Sequence, residues 1–256
     1  MKILLTNDDG IDSPGLKAIE ESLSRKHDVV VVAPEGERSG FSHALSFRKN
    51  VIIRKIDKNH YTCSGTPADC VHRALHRIID GFVPDIVVSG INLGPNLGTD
   101  IIYSGTAAAA RQAVMMGVPG VAVSATAFFE PFYFENAAIF VADNITSFFE
   151  NQSPDHFINI NVPSICAEKL NVMVTKPSKR LYNEKLSHHA EPDGSLDVSL
   201  NIINVLHDNR NDTDSYAVEN NMISVSPVYV QPFSDEKARL IYKEVFKKES
   251  AGEKNC

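Results

Sequence analysis

The sequence predicts an α/β fold: a Rossmann-like three-layer α/β/α sandwich around a mostly parallel sheet, with a C-terminal β-hairpin excursion and a C-terminal helix used for oligomerisation. Three observations predict it. Short apolar runs, such as Ile3–Leu5, "DVVVVAP" from Asp28 and "PDIVVSG" from Pro84, suit strands buried on both faces. Helical patterns separate these runs, and strand–helix alternation implies parallel strands covered by helices. After about Leu170 the pattern turns to period-two alternation, which marks strands of a different, more exposed kind.

The elements follow in order. Ile3–Leu5 is the first strand. It leads to a helix through Leu16–Leu23, with Asp12 or Ser13 as its cap and Pro14 at its first position. Val29–Val32 is the second strand. Thr66–Ile79 reads as a helix, because Thr66, Pro67 and Asp69 in "SGTPADC" form a capping-box pattern. "PDIVVSG" is a strand, Thr106–Met116 a helix and "GVAVSA" from Gly120 a strand. Asn136–Phe149 is a further helix and "FININ" from Phe157 a further strand. "NVMVTKPSKRLY" and "SLDVSLNIINVL" alternate like exposed strands around the turn "EPDGS". "TDSYAVENN" and "MISVSPVYV" then give a short helix and a returning strand. The expected organisation is one domain over 1–256. Its core covers about 1–170 and 212–232, the β-rich excursion about 171–211, and the C-terminal helix about 234–250. The excursion is either an oligomer contact or a decorative flap.

Bulk properties exclude several functions. A length of 256 residues fits one large domain, and 43% hydrophobic with 22% charged residues is ordinary for a soluble enzyme. A net charge of −7 argues against nucleic acid or an anionic membrane as the main partner. No apolar run is long enough to span a bilayer, and Asn7, Asp8 and Asp9 interrupt the first one too early for a signal peptide. Cys63, Cys70, Cys166 and Cys256 match no zinc or redox spacing, so reduced thiols in a cytoplasmic protein are expected.

The stretch "TNDDG" from Thr6 carries the first chemical signal. The first helix already has its cap, which leaves Asp8 and Asp9 without a structural task. In a doubly wound sheet they lie at the carboxyl end of the first strand, where such folds bind ligands. Adjacent carboxylates repel unless something positive joins them. A divalent cation is the simplest partner, with Gly10 turning the backbone so that the side chains converge. A salt-bridged or capping pair is the alternative. "APEGERSGFSH" brings Ser39 and Gly40 to the same edge, as a hydroxyl and an approachable backbone or as an ordinary loop. "SGINLGPNLGTDIIYSGT" brings Asn92, whose carbonyl suits a hard cation, and then Asn96. Ser104, Gly105 and Thr106 open a helix and offer a phosphate seat at its positive end; the plain reading is a capped helix after a long loop. The dinucleotide, P-loop, zinc-protease and serine-hydrolase motifs are all missing from their expected positions. His43 is a weak acid/base candidate, His188 and His189 read as solvated, and Asp212 and Asp214 read as an exposed turn.

These stretches, "TNDDG", "P(x4)SG" from Pro34, "SGTPADC", "SGINLGPNLGTDIIYSGT" and "TDSYAVENNMISVSPV", resemble the stationary-phase survival protein E (SurE) family of metal-dependent nucleotidases over essentially the whole chain. The resemblance implies one divalent cation per subunit on Asp8, Asp9, Ser39 and Asn92. It also implies phosphomonoesterase activity on nucleoside 5′-monophosphates, a cytoplasmic location, and homodimers or homotetramers. Short polyphosphate and 3′-nucleotides are further candidate substrates. One position departs from the family, where Glu-Gly commonly follows YSGT by two helical turns; here it reads Gln112-Ala113.

An all-oxygen site suits Mg²⁺ or Mn²⁺. Asp8 or Asp9 is placed to orient water, and Ser39, Gly40, Asn96, Ser104, Gly105 and Thr106 to hold phosphate oxygens. Phe41 or Tyr103 is available for stacking on a base. The rival reading is a receiver-like metal-binding signalling module without phosphatase activity. It lacks the phospho-accepting Asp after the third strand, where this chain has Asn92.

Overall fold

The apolar runs become the strands of a nine-stranded sheet. The structure, a computed structural model, describes residues 1–79, 81–127, 129–151, 153–208, 210–232 and 235–252. The strands are β1 (Lys2–Thr6), β2 (Asp28–Pro34), β3 (Ile53–Lys55), β4 (His60–Cys63), β5 (Ile86–Leu93), β6 (Gly120–Ala125), β7 (His156–Val162), β8 (Val172–Val174), β9 (Arg180–Ala190), β10 (Leu196–His207) and β11 (Ile223–Tyr229). The helices are α1 (Pro14–Ser24), α2 (Pro67–Arg73), α3 (Gly105–Met115), α4 (Glu135–Asn151), α5 (Asp214–Glu219) and α6 (Glu236–Gly252). The sheet order is β3-β4-β2-β1-β5-β6-β7-β11-β8. The run from β4 to β7 is parallel. Two pairs break the rule: β3 lies antiparallel to β4, and β11 to β7.

Alternation along β1 makes the three layers. Ile3 and Leu5 pack on one face with Leu16, Ile19 and Leu23 of α1 and Val141 and Ile145 of α4. Leu4 packs on the other with Val71 of α2 and Ala109 and Ala113 of α3. All three β1 residues are fully buried. Burying a side chain of that size stabilises by about 1.5–3 kcal/mol. Leu4→Ala would add a cavity and cost about 2–5 kcal/mol. β1 pairs with β2 on one side and β5 on the other. The order of strands therefore reverses at β1, and the crevice at its carboxyl end is the place where such sheets hold ligands.

Some local expectations change in the structure. The helix expected over Thr66–Ile79 is α-helical only to Arg73 and widens into a π-turn over Ala74–Ile78, where Arg77 takes φ +59°. Its capping box is present, with Asp69 N donating to Thr66 Oγ1 and Thr66 N to Asp69 Oδ2. Ser13 occupies the N-cap of α1 without a side-chain cap bond. Residues 53–63 form a hairpin, β3 and β4, that no apolar period marks in the sequence, because its strands are short and carry Arg54, Lys55 and His60. β8 belongs to the central sheet, beside β11.

The excursion is the antiparallel pair β9–β10. At 12 residues β10 is about 40 Å long. Leu186 of β9 and Leu196, Val198, Leu200 and Ile202 of β10 are all more than half exposed. Helix α6 likewise exposes Leu240, Ile241 and Tyr242. Its expected start at Ser234 lies outside the described residues. Cys63 and Cys70 are buried free thiols and Cys166 is an exposed one, while Cys256 lies outside the described residues. No described helix is long and apolar enough to cross a membrane.

Candidate functional site

Asn7 builds the loop that presents the two aspartates. Its Nδ2 donates to Gly10 O at 2.9 Å, and Gly10 N donates back to its Oδ1 at 3.2 Å. Gly10 takes φ +100°, and a Cβ there would lie 3.0 Å from Gly36 Cα, so only glycine closes this turn without strain. Two backbone bonds tie the loop to the end of β2: Ile11 N to Pro34 O at 3.0 Å and Arg38 N to Asp8 O at 2.6 Å.

Asp8 is buried and faces the first turn of α3. Thr106 Oγ1 donates to its Oδ1 at 2.5 Å, and the backbone N–H groups of Gly105 and Thr106 also point to it. Gly105 allows this approach, since a Cβ there would come within 2.9 Å of the Asp8 side chain. Asp9 is partly buried, and its Oδ2 accepts from Leu93 N at 3.2 Å. Asn92, also buried, donates its Nδ2 to Leu93 O and Gly94 O at 3.2 and 2.7 Å. That engagement turns its Oδ1 the other way, with no hydrogen bond to it among the described residues.

Electrostatics mark this edge as wanting a cation. Burial pushes the Asp8 carboxyl up, against the pull of Thr106 and the helix N–H groups. Burial, and then the charge of Asp8, push Asp9 up to about 7. Among the described residues neither aspartate forms an ion pair with Lys, Arg or His. Two carboxylates, an amide oxygen and the Ser39 hydroxyl on the neighbouring loop make an all-oxygen donor set that fits a hard divalent cation.

Ser39 and Gly40 lie exposed on a strap across this edge. It is fastened at Arg38 on one side and at Ser42 on the other, where Ser42 N donates to Tyr103 O at 3.0 Å and Ser42 Oγ to Ile102 O at 2.6 Å. His43 continues the strap, with Nε2 2.9 Å from Gln112 Oε1 in α3. Burial holds the His43 imidazole below its usual range. Phe41 and Tyr103 stand exposed at the Ser42 end of the strap.

Residues 3–184 match the family described as Survival protein SurE. The chain belongs to the SurE family. It is 39% identical over 236 residues to the 5′-nucleotidase SurE of Thermosipho africanus, covering 90% of this chain and 92% of that protein. It is 40% identical over 238 residues to the 5′-nucleotidase SurE of Thermosipho melanesiensis, covering 90% and 92%. The crystal structure of the SurE protein from Aquifex aeolicus superposes with a TM-score of 0.83 at 36% identity, over 96% of this chain and 99% of that one.

The structure distributes the remaining candidates unevenly in this SurE chain. Asn96 is buried beside the metal-ligand candidates' edge but is held by residues the sequence reading missed. Its N donates to Asn161 Oδ1 at 2.8 Å, its O accepts from Asn159 and Asn161, and its Nδ2 donates to Ser124 Oγ at 2.8 Å. The signal was present in "FININ", whose two asparagines share one face of an otherwise apolar strand. Ser104 Oγ caps α3 by accepting from Ala107 N at 3.0 Å, and the Thr106 hydroxyl is committed to Asp8. Asp214 corrects an expectation. Only Asp212 sits in an exposed turn, paired with Lys176, whereas Asp214 is fully buried and accepts from Gly98 N at 2.7 Å and Ser178 N at 2.8 Å. It thereby fixes the loop that follows Asn96. The same loop is held at Asp100, which accepts from Arg180 Nη1 and Tyr182 Oη of β9. His188 and His189 are exposed on β9, as expected.

Proposed function

We propose that this SurE-family chain is a metal-dependent phosphatase that hydrolyses nucleoside 5′-monophosphates to nucleoside and phosphate. The observation that carries the reading is the Asp8–Asp9 pair: two adjacent carboxylates, both raised by burial and Asp9 also by the charge of Asp8, with no cationic side chain paired to them among the described residues. The relatives from Thermosipho africanus and Thermosipho melanesiensis, each a 5′-nucleotidase SurE, support it. Asp8, Asp9, Ser39 and Asn92 are the residues that would hold one Mg²⁺ or Mn²⁺ per subunit. Such an ion polarises the phosphoryl group and acidifies a bound water.

The chain's own residues supply the positioning. Thr106 and the first turn of α3 favour the ionised form of Asp8 against its burial and fix its orientation. Leu93 N holds one oxygen of Asp9, which leaves the other to orient the attacking water. The Ser39–Gly40 strap and Asn96 flank the place where the phosphoryl oxygens gather charge, with Ser104, Gly105 and Thr106 framing it at the helix end. The exposed apolar faces of β9–β10 and α6 support assembly into a homodimer or homotetramer. The buried free thiols suit a cytoplasmic enzyme.

The test is phosphate release from a panel of nucleoside monophosphates with Mn²⁺ or Mg²⁺, with EDTA, and with Asp8→Asn. Release that needs the metal and vanishes in the folded variant is the expected result. An Asp8→Asn protein that keeps most of its turnover would sink the two-aspartate site.

A further inference from the structure

We propose that a cavity at the amino edge of the sheet binds a small phosphorylated anion, at a site separate from the aspartate pair. The cavity measures about 560 Å³, within the size range of small-molecule sites. It opens where β1, β2 and β4 begin, and it is lined by Lys2, Asp28, Lys55, Lys58 and Tyr61, with Phe82 among its apolar walls. Asp8 and Asp9 follow the opposite end of β1. That strand has five residues, so about 17 Å separates the two edges.

Charge decides the ligand class. Three lysines and one aspartate are among the described lining residues, in a chain whose net charge is −7, and Asp85 adjoins Lys2, its Oδ2 accepting from Lys2 N at 2.7 Å. The lysine ion pairs in the described structure are Lys17 with Asp12 and Lys176 with Asp212. Lys2, Lys55 and Lys58 therefore line one cavity without forming an ion pair to a carboxylate among the described residues. Their charge matches a multiply charged phosphoryl group better than a single carboxylate, and lysine serves such groups as a point charge. The rest of the wall suits the body of a metabolite. Val30, Ile79 and Phe82 are buried apolar residues at 6–7% exposure. Tyr61 carries the Lys55 ammonium 5.9 Å from its ring centroid. Open space beside Gly81 lets a ligand reach the backbone.

The site is tested with inorganic pyrophosphate on the full chain in EDTA, by isothermal titration calorimetry. The chelator removes any binding that depends on a metal at the aspartates, so the result does not depend on the nucleotidase reading. Saturable binding of one pyrophosphate per chain is expected, weakening as salt is raised. Lys55→Glu with Lys58→Glu should weaken it at least tenfold, while melting temperature and metal-dependent phosphatase activity stay within experimental spread and about twofold of wild type. Lys58→Gln alone, a milder change at an exposed position, should weaken it by about threefold. Absence of saturable binding at millimolar pyrophosphate would overturn the proposal. So would equal affinity in the wild type and the charge-changed variants.

Discussion

Thr106→Val keeps the shape of a buried side chain and removes one donor. In the wild type its hydroxyl reaches Asp8 Oδ1 at 2.5 Å inside the protein, where water cannot replace it. A hydrogen bond to a charged group contributes about 1.5–3 kcal/mol. If Asp8 is a metal ligand, that energy is spent holding it ionised and aimed. Loss of such a supporting partner typically weakens metal binding by about 10–100-fold, which is about 1.4–2.7 kcal/mol and agrees with the first figure. The expected result is a half-saturating Mn²⁺ concentration raised by about one to two orders of magnitude, with much of the turnover recovered at saturating metal. Without metal, a loss near 2 kcal/mol should lower the melting temperature by about 4–8 °C. Metal titration of phosphate release, with calorimetric Mn²⁺ binding beside it, measures both quantities. Thr106→Ser should recover most of the affinity because it restores the donor. A Thr106→Val enzyme with wild-type metal dependence would refute the link from helix end to carboxylate to metal.

Three other perturbations follow from the geometry. Asp214→Ala leaves the Gly98 and Ser178 N–H groups buried without their acceptor, so urea unfolding should show a loss of about 2–4 kcal/mol, with turnover reduced because the loop after Asn96 loosens. His60 has Nδ1 2.8 Å from Asp57 and Nε2 2.7 Å from Glu20. Burial disfavours its charge, but Asp57 and Glu20 outweigh it and raise the imidazole above its usual range. Its stabilisation is thus complete below the unfolded value near 6.5 and is lost as pH rises through the higher folded value. His60→Gln should consequently destabilise the protein more at pH 6 than at pH 8.5 in paired melting experiments, and an equal loss at both would refute the clamp. Leu186 and Leu200 face each other across β9 and β10; changing both to Glu should lower the molar mass measured by light scattering, and an unchanged mass would exclude the arm's apolar face from assembly.

The central strands were legible because burial on both faces removes polar residues, so β1, β2, β5 and β6 stand out as apolar runs. The β3–β4 hairpin was not, because a short edge needs no core face. The aspartate pair could be read from chemistry alone: adjacent charges after a buried strand, beyond any capping need. Thr106 shows where such reading stops. A helix end favours anions in general, but the sequence does not say which anion arrives, and in the structure the nearest one is Asp8. Asp214 was hidden for a related reason. Local context makes it a turn residue before a helix, while its partners Gly98 and Ser178 are remote in the chain or across a loop. Gln112 was correctly placed inside α3, and only the fold reveals that His43 is its partner.

The β9–β10 arm has two ends that differ in what they tolerate. Its tip, around Asp193 and Gly194, is exposed and bonds only to its own turn. A tag, a dye or an inserted peptide there would leave the central sheet undisturbed. Its root is another matter, because Arg180 and Tyr182 hold Asp100 and Thr99 exchanges hydrogen bonds with the Arg180 backbone. Trimming the arm at its base to make a smaller enzyme would unfasten the loop between Asn96 and Ser104. An edit aimed only at the exposed arm would then be felt at the proposed phosphate site.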